Sequence, residues 1–378
     1  MEKERIYLNL THNDGTKLFL KPSSFVSLAN ELEDFLEGEK HLATKTFAKK
    51  VMFSHEIKAN NQVEGYGDDI FLIKEVIKKA EGIKDSEQRQ RILNLYHGYN
   101  YILKGNDINP DTLKKLYSLL SKDLLIESDA VRMGEYYRTA PVYILKGGRL
   151  DLEPDQGVDA SRIEEFISKY FEFLNTNFDG SMTDEYIKSQ ILHYYFVYIH
   201  PYFDVNGRTS RTLAMWYLLN NKCYPYIIFN RGIGFQGRDY DRVIEDVKKF
   251  NDLSFFISYM LRTVKIELEK EYIMQVVASY ASEKLDATDY QTLLYFLSMN
   301  GLKTVMDFSS IYNRFNDKKR VRVIFDTMIK PLLDKGIFDI ERPTNKLMYN
   351  DNVNLVLKLK PSLDGIDRNK VKNVNLFI

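Results

Sequence analysis

His200-Pro201-Tyr202-Phe203-Asp204-Val205-Asn206-Gly207-Arg208-Thr209-Ser210-Arg211 is the stretch on which the reading of this chain turns. The preceding Tyr186–Ile199 is apolar and aromatic with polar breaks at helical spacing, which predicts a helix buried on most sides. Pro201 disfavours helical backbone at the residue before it, so the helix should stop at His200 and leave the imidazole at a loop mouth. Asn206-Gly207 is a turn pair, and a second helix follows at once. The free N–H groups at such a helix start form an anion site. Arg208 and Arg211 stand three apart in its first turns, so both guanidiniums can share one face. Asp204 beside a phosphate site suits magnesium, which takes one or two carboxylates together with phosphate oxygens. A base, a metal ligand, an anion nest and two phosphate clamps make up the inventory of phosphoryl or nucleotidyl transfer.

Outward from this stretch the pattern is helical. Apolar residues recur at helical spacing in Phe25–Leu36, Phe47–Met52, Ile70–Ile77 and Ile92–Leu103, and behind Asn109-Pro110 in Leu113–Leu125. They recur again in Ile163–Phe173, Arg208–Leu219, Arg238–Phe250 and Leu253–Ala281. Between Val142 and Pro154 two short extended segments flank Gly147-Gly148, the chemistry of a tight hairpin. From about Tyr272 the grammar changes. Three short helices are expected at Leu293–Leu297, Phe308–Phe315 and Val321–Leu333, then strands at Gly336–Ile340 and Leu347–Tyr349 around a turn at Arg342–Lys346. Three helices and a small hairpin suit a winged-helix-like domain. From Gly301 to Ile378 there are 15 Lys/Arg against 9 Asp/Glu, and Lys318, Lys319, Arg320 and Arg322 crowd the start of the third helix. Such a helix start can contact DNA phosphates or serve as the solvated edge of a protein-interaction module.

Composition excludes several classes. The 378 residues carry 53 basic and 53 acidic side chains, so no uniformly basic nucleic-acid coat is present. One cysteine, Cys223, excludes a disulfide framework and a Cys-rich metal site. The charged start from Met1 to Leu10 does not read as a signal peptide, and no run of 18 apolar residues appears, so a soluble, cytoplasmic protein without membrane contact is expected.

The stretch from His200 to Arg211 resembles the signature of Fic (filamentation induced by cAMP) domain proteins, His-x-Phe-x-Asp/Glu-Gly-Asn-Gly/Lys-Arg-x-x-Arg. His200, Asp204, Asn206, Gly207, Arg208 and Arg211 match in type and spacing. The resemblance extends from about Ser54 to Ile266 and includes Gly134-Glu135-Tyr136-Tyr137-Arg138 followed by the hairpin. It implies a mainly α fold: a helical Fic core with a β-hairpin flap, plus the small C-terminal winged-helix-like domain. The expected division is 1–108 for an N-terminal helical region with an inhibitory helix, 109–268 for the Fic domain and 272–378 for the winged-helix-like domain. The implied activity is AMP transfer from MgATP to a Ser, Thr or Tyr hydroxyl of a target protein. In that scheme His200 deprotonates the attacking hydroxyl and Asp204 holds Mg2+. Asn206 and Gly207 cradle phosphate oxygens, Arg208 contacts the phosphate chain, and Arg211 reaches the γ-phosphate. The target chain lies along the Val142–Leu152 flap as an added strand.

A second family pattern, Ser/Thr-x-x-x-Glu-Gly/Asn, marks an inhibitory helix, and here the sequence reads Asn60-Asn61-Gln62-Val63-Glu64-Gly65. By resemblance Glu64 pairs with Arg211 and competes with the γ-phosphate for one bidentate partner. Asn60 departs from the hydroxyl residue and puts the placing of that helix in question. Tyr202 stands in place of phenylalanine and needs a partner for its hydroxyl. Val205 stands in place of glycine, a demanding change if the position takes positive φ. Gly232-Ile233-Gly234-Phe235-Gln236-Gly237 fits a dinucleotide fingerprint but lacks the second strand of a βαβ unit, so a loop near the adenine pocket is expected, with Tyr240 lining that pocket. His193 reads as a satisfied core histidine, and Trp216 as core. Other readings stay open: a Fic enzyme that uses another nucleotide or removes AMP, or a DNA-binding regulator whose Fic loop only senses nucleotide. A homodimer is also open.

Overall fold

The alternation Ile6-Tyr7-Leu8-Asn9-Leu10 and the Asp14-Gly15 pair dictate a hairpin where the sequence reading expected only helices. In the computed structural model β1 (Ile6–Thr11) pairs antiparallel with β2 (Lys17–Leu20), Ile6 opposite Leu20 and Tyr7 opposite Phe19. Gly15 supplies the turn at φ +83°. The structure describes residues 5–39, 44–68, 70–79, 86–144, 155–177, 180–235, 237–280, 286–297, 304–341 and 355–359. It is mainly helical, and it divides into two compact units, Met1–Val264 and Lys265–Ile378.

In the first unit the hairpin is followed by α1 (Val26–Gly38), α2 (Lys45–Val51), a π-helical turn at Met52–Glu56, α3 (Ile57–Val63), α4 (Ile70–Lys78), α5 (Glu87–Ile102), α6 (Pro110–Leu120) and α7 (Glu127–Val131). Asn109 caps α6 through Thr112 N–H, with Pro110 in the first turn as its sequence predicts. This helix stops at Leu120 rather than Leu125, because the Ser121 hydroxyl bonds the Tyr117 carbonyl and Asp123 turns to φ +56°. Two short strands, β3 (Tyr143–Ile144) and β4 (Asp155–Gln156), pair antiparallel; β3 falls in the expected Val142–Leu152 hairpin, β4 lies beyond it, and 145–154, with the expected second strand, lie outside the described residues. The Gly147-Gly148 turn lies outside the described residues.

Next come α8 (Ile163–Leu174), α9 (Met182–Ile199) and α10 (Asn206–Asn220). A capping box of Ser181 and Asp184 starts α9 ahead of the apolar run from which it was read. Every residue from Tyr186 to Phe196 is buried, and α10 is buried from Arg208 to Leu219, so these two helices form the centre of the unit. Trp216 is core, its indole N–H donating to the Asn106 carbonyl. A 3-10 turn at Tyr224–Ile228 leads to α11 (Phe229–Phe235), α12 (Gly237–Phe250) and α13 (Ser254–Tyr280). Gly232 and Gly234 are therefore helical, not a loop. Their lack of side chains serves packing: a Cβ on Gly232 would lie 2.7 Å from Thr263 Cβ.

The second unit contains α14 (Ala287–Leu297), α15 (Val305–Phe315), and a helical run from Val321 to Asp334 made of α16 (Val321–Ile324), a π-helical turn at Phe325–Ile329 and α17 (Lys330–Asp334). β5 (Phe338–Glu341) pairs antiparallel with β6 (Val356–Leu359), Phe338 opposite Leu359. Its partner thus lies beyond Leu347–Tyr349, which fall outside the described residues. Leu293, Phe308, Ile324, Leu332, Phe338 and Leu357 are buried in this unit, while Lys318, Lys319, Arg320 and Arg322 are exposed. Among the described residues no helix is long and apolar enough to cross a membrane.

Candidate active site

Pro201 ends α9 as expected, but His200 takes left-handed backbone, φ +51° and ψ 59°, while its N–H still bonds the Phe196 carbonyl. Backbone of that kind persists only when its surroundings impose it. Arg138, 2% exposed, does so from one side. Its Nε donates to the His200 carbonyl at 2.9 Å, Nη1 to Ala140, Nη2 to Val158, and its own N–H to the Pro201 carbonyl. The flap exit passes so close that a Cβ on Gly157 would lie 2.8 Å from His200 Cβ. Asn206 closes the loop from the other side. Its Oδ1 accepts from Tyr202 N–H at 3.0 Å and its Nδ2 donates to the Tyr202 carbonyl at 2.8 Å. The Asn206 side chain thereby ties the loop to Tyr202 through both its amide oxygen and its amide nitrogen.

Tyr202 is buried and stacks on Tyr117 of α6, ring centroids 3.5 Å apart and planes 8° from parallel. Its hydroxyl finds no partner among the described residues. Val205 stands at the cap of α10 with φ +67° and ψ 12°, so the position does take the left-handed backbone that glycine favours. Asp204 supports it, Oδ1 accepting from Val205 N–H at 2.6 Å.

The chemically active groups converge on the first turns of α10. His200 Nδ1 faces the Val197 carbonyl at 3.4 Å, an oxygen that can only accept. The hydrogen of a neutral ring therefore sits on Nδ1, and Nε2 keeps its lone pair. Burial pushes the His200 pKa down to about 4 and the Arg138 charge adds to this, against the Val197 carbonyl and Glu64, so the ring is neutral at pH 7. Asp204 is exposed, with Oδ2 3.8 Å from Arg208 Nη2. Arg208 itself is 4% exposed, and its Nε and Nη1 have no hydrogen-bond partner among the described residues. A buried guanidinium in that condition is costly and marks a seat for an anion.

Arg211 is the opposite case. At 1% exposure it donates from Nε and Nη2 to Asn60 Oδ1, at 3.0 and 2.9 Å, and from Nη2 to the Asn60 carbonyl. Nη2 also forms an ion pair with Glu64 Oε1. Glu64 ends α3, where Gly65 turns to φ +84° and Tyr66 N–H bonds back to the Asn61 carbonyl, a left-handed helix stop. Burial would raise the Glu64 carboxyl, but the charges of Arg211 and Arg208 and the bond from Arg211 outweigh it and hold it below its usual value. Its Oε1 crowds Gly207 so closely that any side chain there would collide with it. The Glu64 carboxylate lies close enough to His200 to favour its protonated form, but burial outweighs this.

Tyr240 lies behind this cluster. Its hydroxyl pairs with His193 Nε2 at 2.9 Å and borders Arg211, while His193 Nδ1 meets Gln190, a satisfied core histidine. All eight site residues read from the sequence thus lie in or against one cluster, Tyr240 as a buried backing to Arg211. Sequence reasoning missed the roles of three others. Arg138 stands out in the sequence only as the end of Gly134–Arg138. Asn60 was read only as a departure, although its spacing of four from Glu64 puts both on one helix face. Tyr117, whose hydroxyl feels Asp204 and Arg208, carries no sequence signal beyond an amphipathic helix.

Among the described residues no three His, Cys, Asp or Glu side chains converge as metal ligands. One exposed carboxylate next to an unpaired buried guanidinium instead fits a magnesium ion that shares its coordination with phosphate oxygens.

Residues 107–218 match the Fic/DOC family. The protein adenylyltransferase Fic of Culex quinquefasciatus is 29% identical over 210 residues, covering 54% of this chain and 39% of that protein, so the chain spans well under half of that relative's length. A Fic family protein from Desulfovibrio desulfuricans G20, known from a crystal structure, has the same fold. It superposes with a TM-score of 0.55 at 18% identity, covering 89% of this chain and 95% of that one.

Proposed function

A Fic/DOC domain occupies residues 107–218, and from it we propose that this protein transfers AMP from ATP to a hydroxyl group of a target protein, with Glu64 as an internal brake. What carries the reading is the seat at the start of α10: a carboxylate from α3 already sits on Arg211 and Gly207, where a phosphate would bind.

In the proposed reaction the neutral His200 accepts the proton of the acceptor hydroxyl at Nε2 as that oxygen attacks the α-phosphorus. The bond from the α-phosphorus to the bridging oxygen of the β-phosphate breaks, and pyrophosphate leaves. Nδ1, bonded to Val197, fixes the tautomer, and Arg138 holds the His200 backbone in place. The backbone N–H groups of Asn206, Gly207 and Arg208 cradle phosphate oxygens, and the unpaired Arg208 Nε and Nη1 bind the phosphate chain. Arg211 reaches the γ-phosphate once Glu64 withdraws. Magnesium, when bound through Asp204 and phosphate oxygens, neutralises the charge of the phosphate chain. The β3–β4 pair offers the edge on which the target chain aligns.

Transfer of labelled nucleotide to protein tests the proposal. Wild type should label a target with AMP, and His200→Ala should label it roughly 10²–10⁴-fold more slowly, the usual contribution of a general base. Equal rates would remove His200 from the chemistry. Running UTP and CTP in parallel identifies the transferred nucleotide, and equal labelling by all three would overturn the choice of ATP.

A further inference from the structure

The interior of α3 contains a feature that braking alone does not require. Asn60 is fully buried, and its Oδ1 holds the Nε and Nη2 of Arg211 together. Its own amide cannot flip without losing partners, because Nδ2 donates to the Tyr99 hydroxyl at 3.1 Å. Tyr99 is likewise fully buried and lies over the Glu56 carbonyl at the start of the same helix. Glu64, in contrast, is only partly buried, stands at the last turn of α3, and meets Arg211 through one nitrogen. The remaining Nη1 points toward Gly207, since a Cβ there would lie 3.0 Å from it. Arg211 is therefore gripped on its inner edge by Asn60 and capped on its outer side by Glu64.

We propose that Asn60 is a positioning residue for catalysis rather than a second part of the brake: it keeps the Arg211 guanidinium aimed at the anion seat after Glu64 has moved away. The inference rests on the reading of Arg211 as the γ-phosphate ligand. Its physical basis is entropic and geometric. A free arginine has many rotamers, and a guanidinium held in place by neutral acceptors loses less freedom on binding phosphate and keeps its full positive charge. A neutral amide can hold the fork without neutralising it, which a carboxylate cannot do. The Tyr99–Asn60–Arg211 chain thus gives α3 two opposed actions, four residues apart on one face.

The test uses the full chain in a Glu64→Gly background and measures the dissociation constants of ATP and ADP by titration calorimetry. Their ratio reads the γ-phosphate contribution without reference to turnover. Glu64→Gly alone should prefer ATP over ADP. Adding Asn60→Ala should cut that preference by roughly tenfold, the scale of a hydrogen bond to a charged group, with ADP affinity unchanged. Adding Tyr99→Phe instead should cut it by about threefold, because the amide loses only its orienting partner. An unchanged or larger preference in Glu64→Gly/Asn60→Ala overturns the assignment, and so does an unchanged preference in Glu64→Gly/Tyr99→Phe should the alanine variant fail to fold. A Glu64→Gly protein that binds ATP no better than ADP overturns the premise about Arg211 and the assignment with it.

Discussion

Arg208 and Arg211 lie one helical turn apart in α10, both almost completely buried, yet their surroundings are opposite. Among the described residues, Arg208 Nε and Nη1 have no hydrogen-bond partner, and the Asp204 carboxylate lies 3.8 Å from Nη2. Arg211 is held by Asn60 and Glu64, and neither it nor Asn60 leaves a buried polar atom unpaired. Burying a guanidinium with unfilled donors is unfavourable for folding, and under the proposed function those donors await the phosphate chain. Arg211 shows what such a group looks like when its anion is already supplied from within the chain. One half of the site is preformed and open, the other preformed and filled.

Substitution of each arginine should separate the two halves most clearly. Arg208→Ala should slow transfer by about 10²–10³-fold, as for loss of one donor to developing charge. It should leave the stability of the free protein unchanged or slightly higher. Arg211→Ala should instead destabilise the free protein by about 1–3 kcal/mol, because the buried Asn60 amide loses its partner and the partly exposed Glu64 its ion pair. Urea unfolding of both variants reads the contrast, and equal destabilisation would dissolve it. Next in size is Glu64→Gly, which should raise transfer roughly tenfold to a hundredfold by freeing Arg211, given the strength of hydrogen bonds to charged groups. No rise over wild type in the labelling assay would remove Glu64 as the brake.

The open half was more legible in the sequence than the filled half. Six residues at fixed spacing across a helix–turn–helix encode their own geometry, because Pro201 and the Asn206-Gly207 turn act locally. The pairing of Glu64 with Arg211 spans a long stretch of chain and came into view only through the resemblance. What Asn60 does there was illegible, since an asparagine in a helix can face solvent, a cap or another helix with no change in pattern. The N-terminal hairpin was missed for a different reason. Its alternation runs for only a few residues beside long helical periodicities, although Asp14-Gly15 is a hairpin signal. Gly232 reads as a loop residue because glycine in a helix is disfavoured unless close packing demands it, and Thr263 makes that demand from another helix.

Val205 tests how the open half is held in shape. Left-handed backbone costs a side-chain-bearing residue about 1–2 kcal/mol, and β-branching makes it worse. The side chain is also 2% exposed, and burying a valine is worth about 1.5–3 kcal/mol. Glycine would relieve the first, lose the second, and add about 0.5–1 kcal/mol of unfolded-state entropy. The loss outweighs the relief, so Val205→Gly should destabilise by about 1 kcal/mol in urea unfolding and leave transfer within a few-fold of wild type. A large gain in transfer would mean that valine displaces the seat that Arg208 serves.

The smallest effect expected is at Tyr202, beneath the same loop. Its ring is buried against Tyr117 and its backbone is clamped by Asn206, so phenylalanine would keep the stack and the loop. What it would remove is a buried hydroxyl with no protein partner among the described residues. An unsatisfied buried polar group costs more than its removal, so Tyr202→Phe should stabilise by about 0.5–1 kcal/mol without altering transfer. Arg208 would keep its two unfilled donors in this variant, because Tyr202 is not among their partners. If Tyr202→Phe lowered stability instead, the hydroxyl would be held by bound water. The open half would then be partly solvated, and less unlike the Arg211 side than its direct contacts make it.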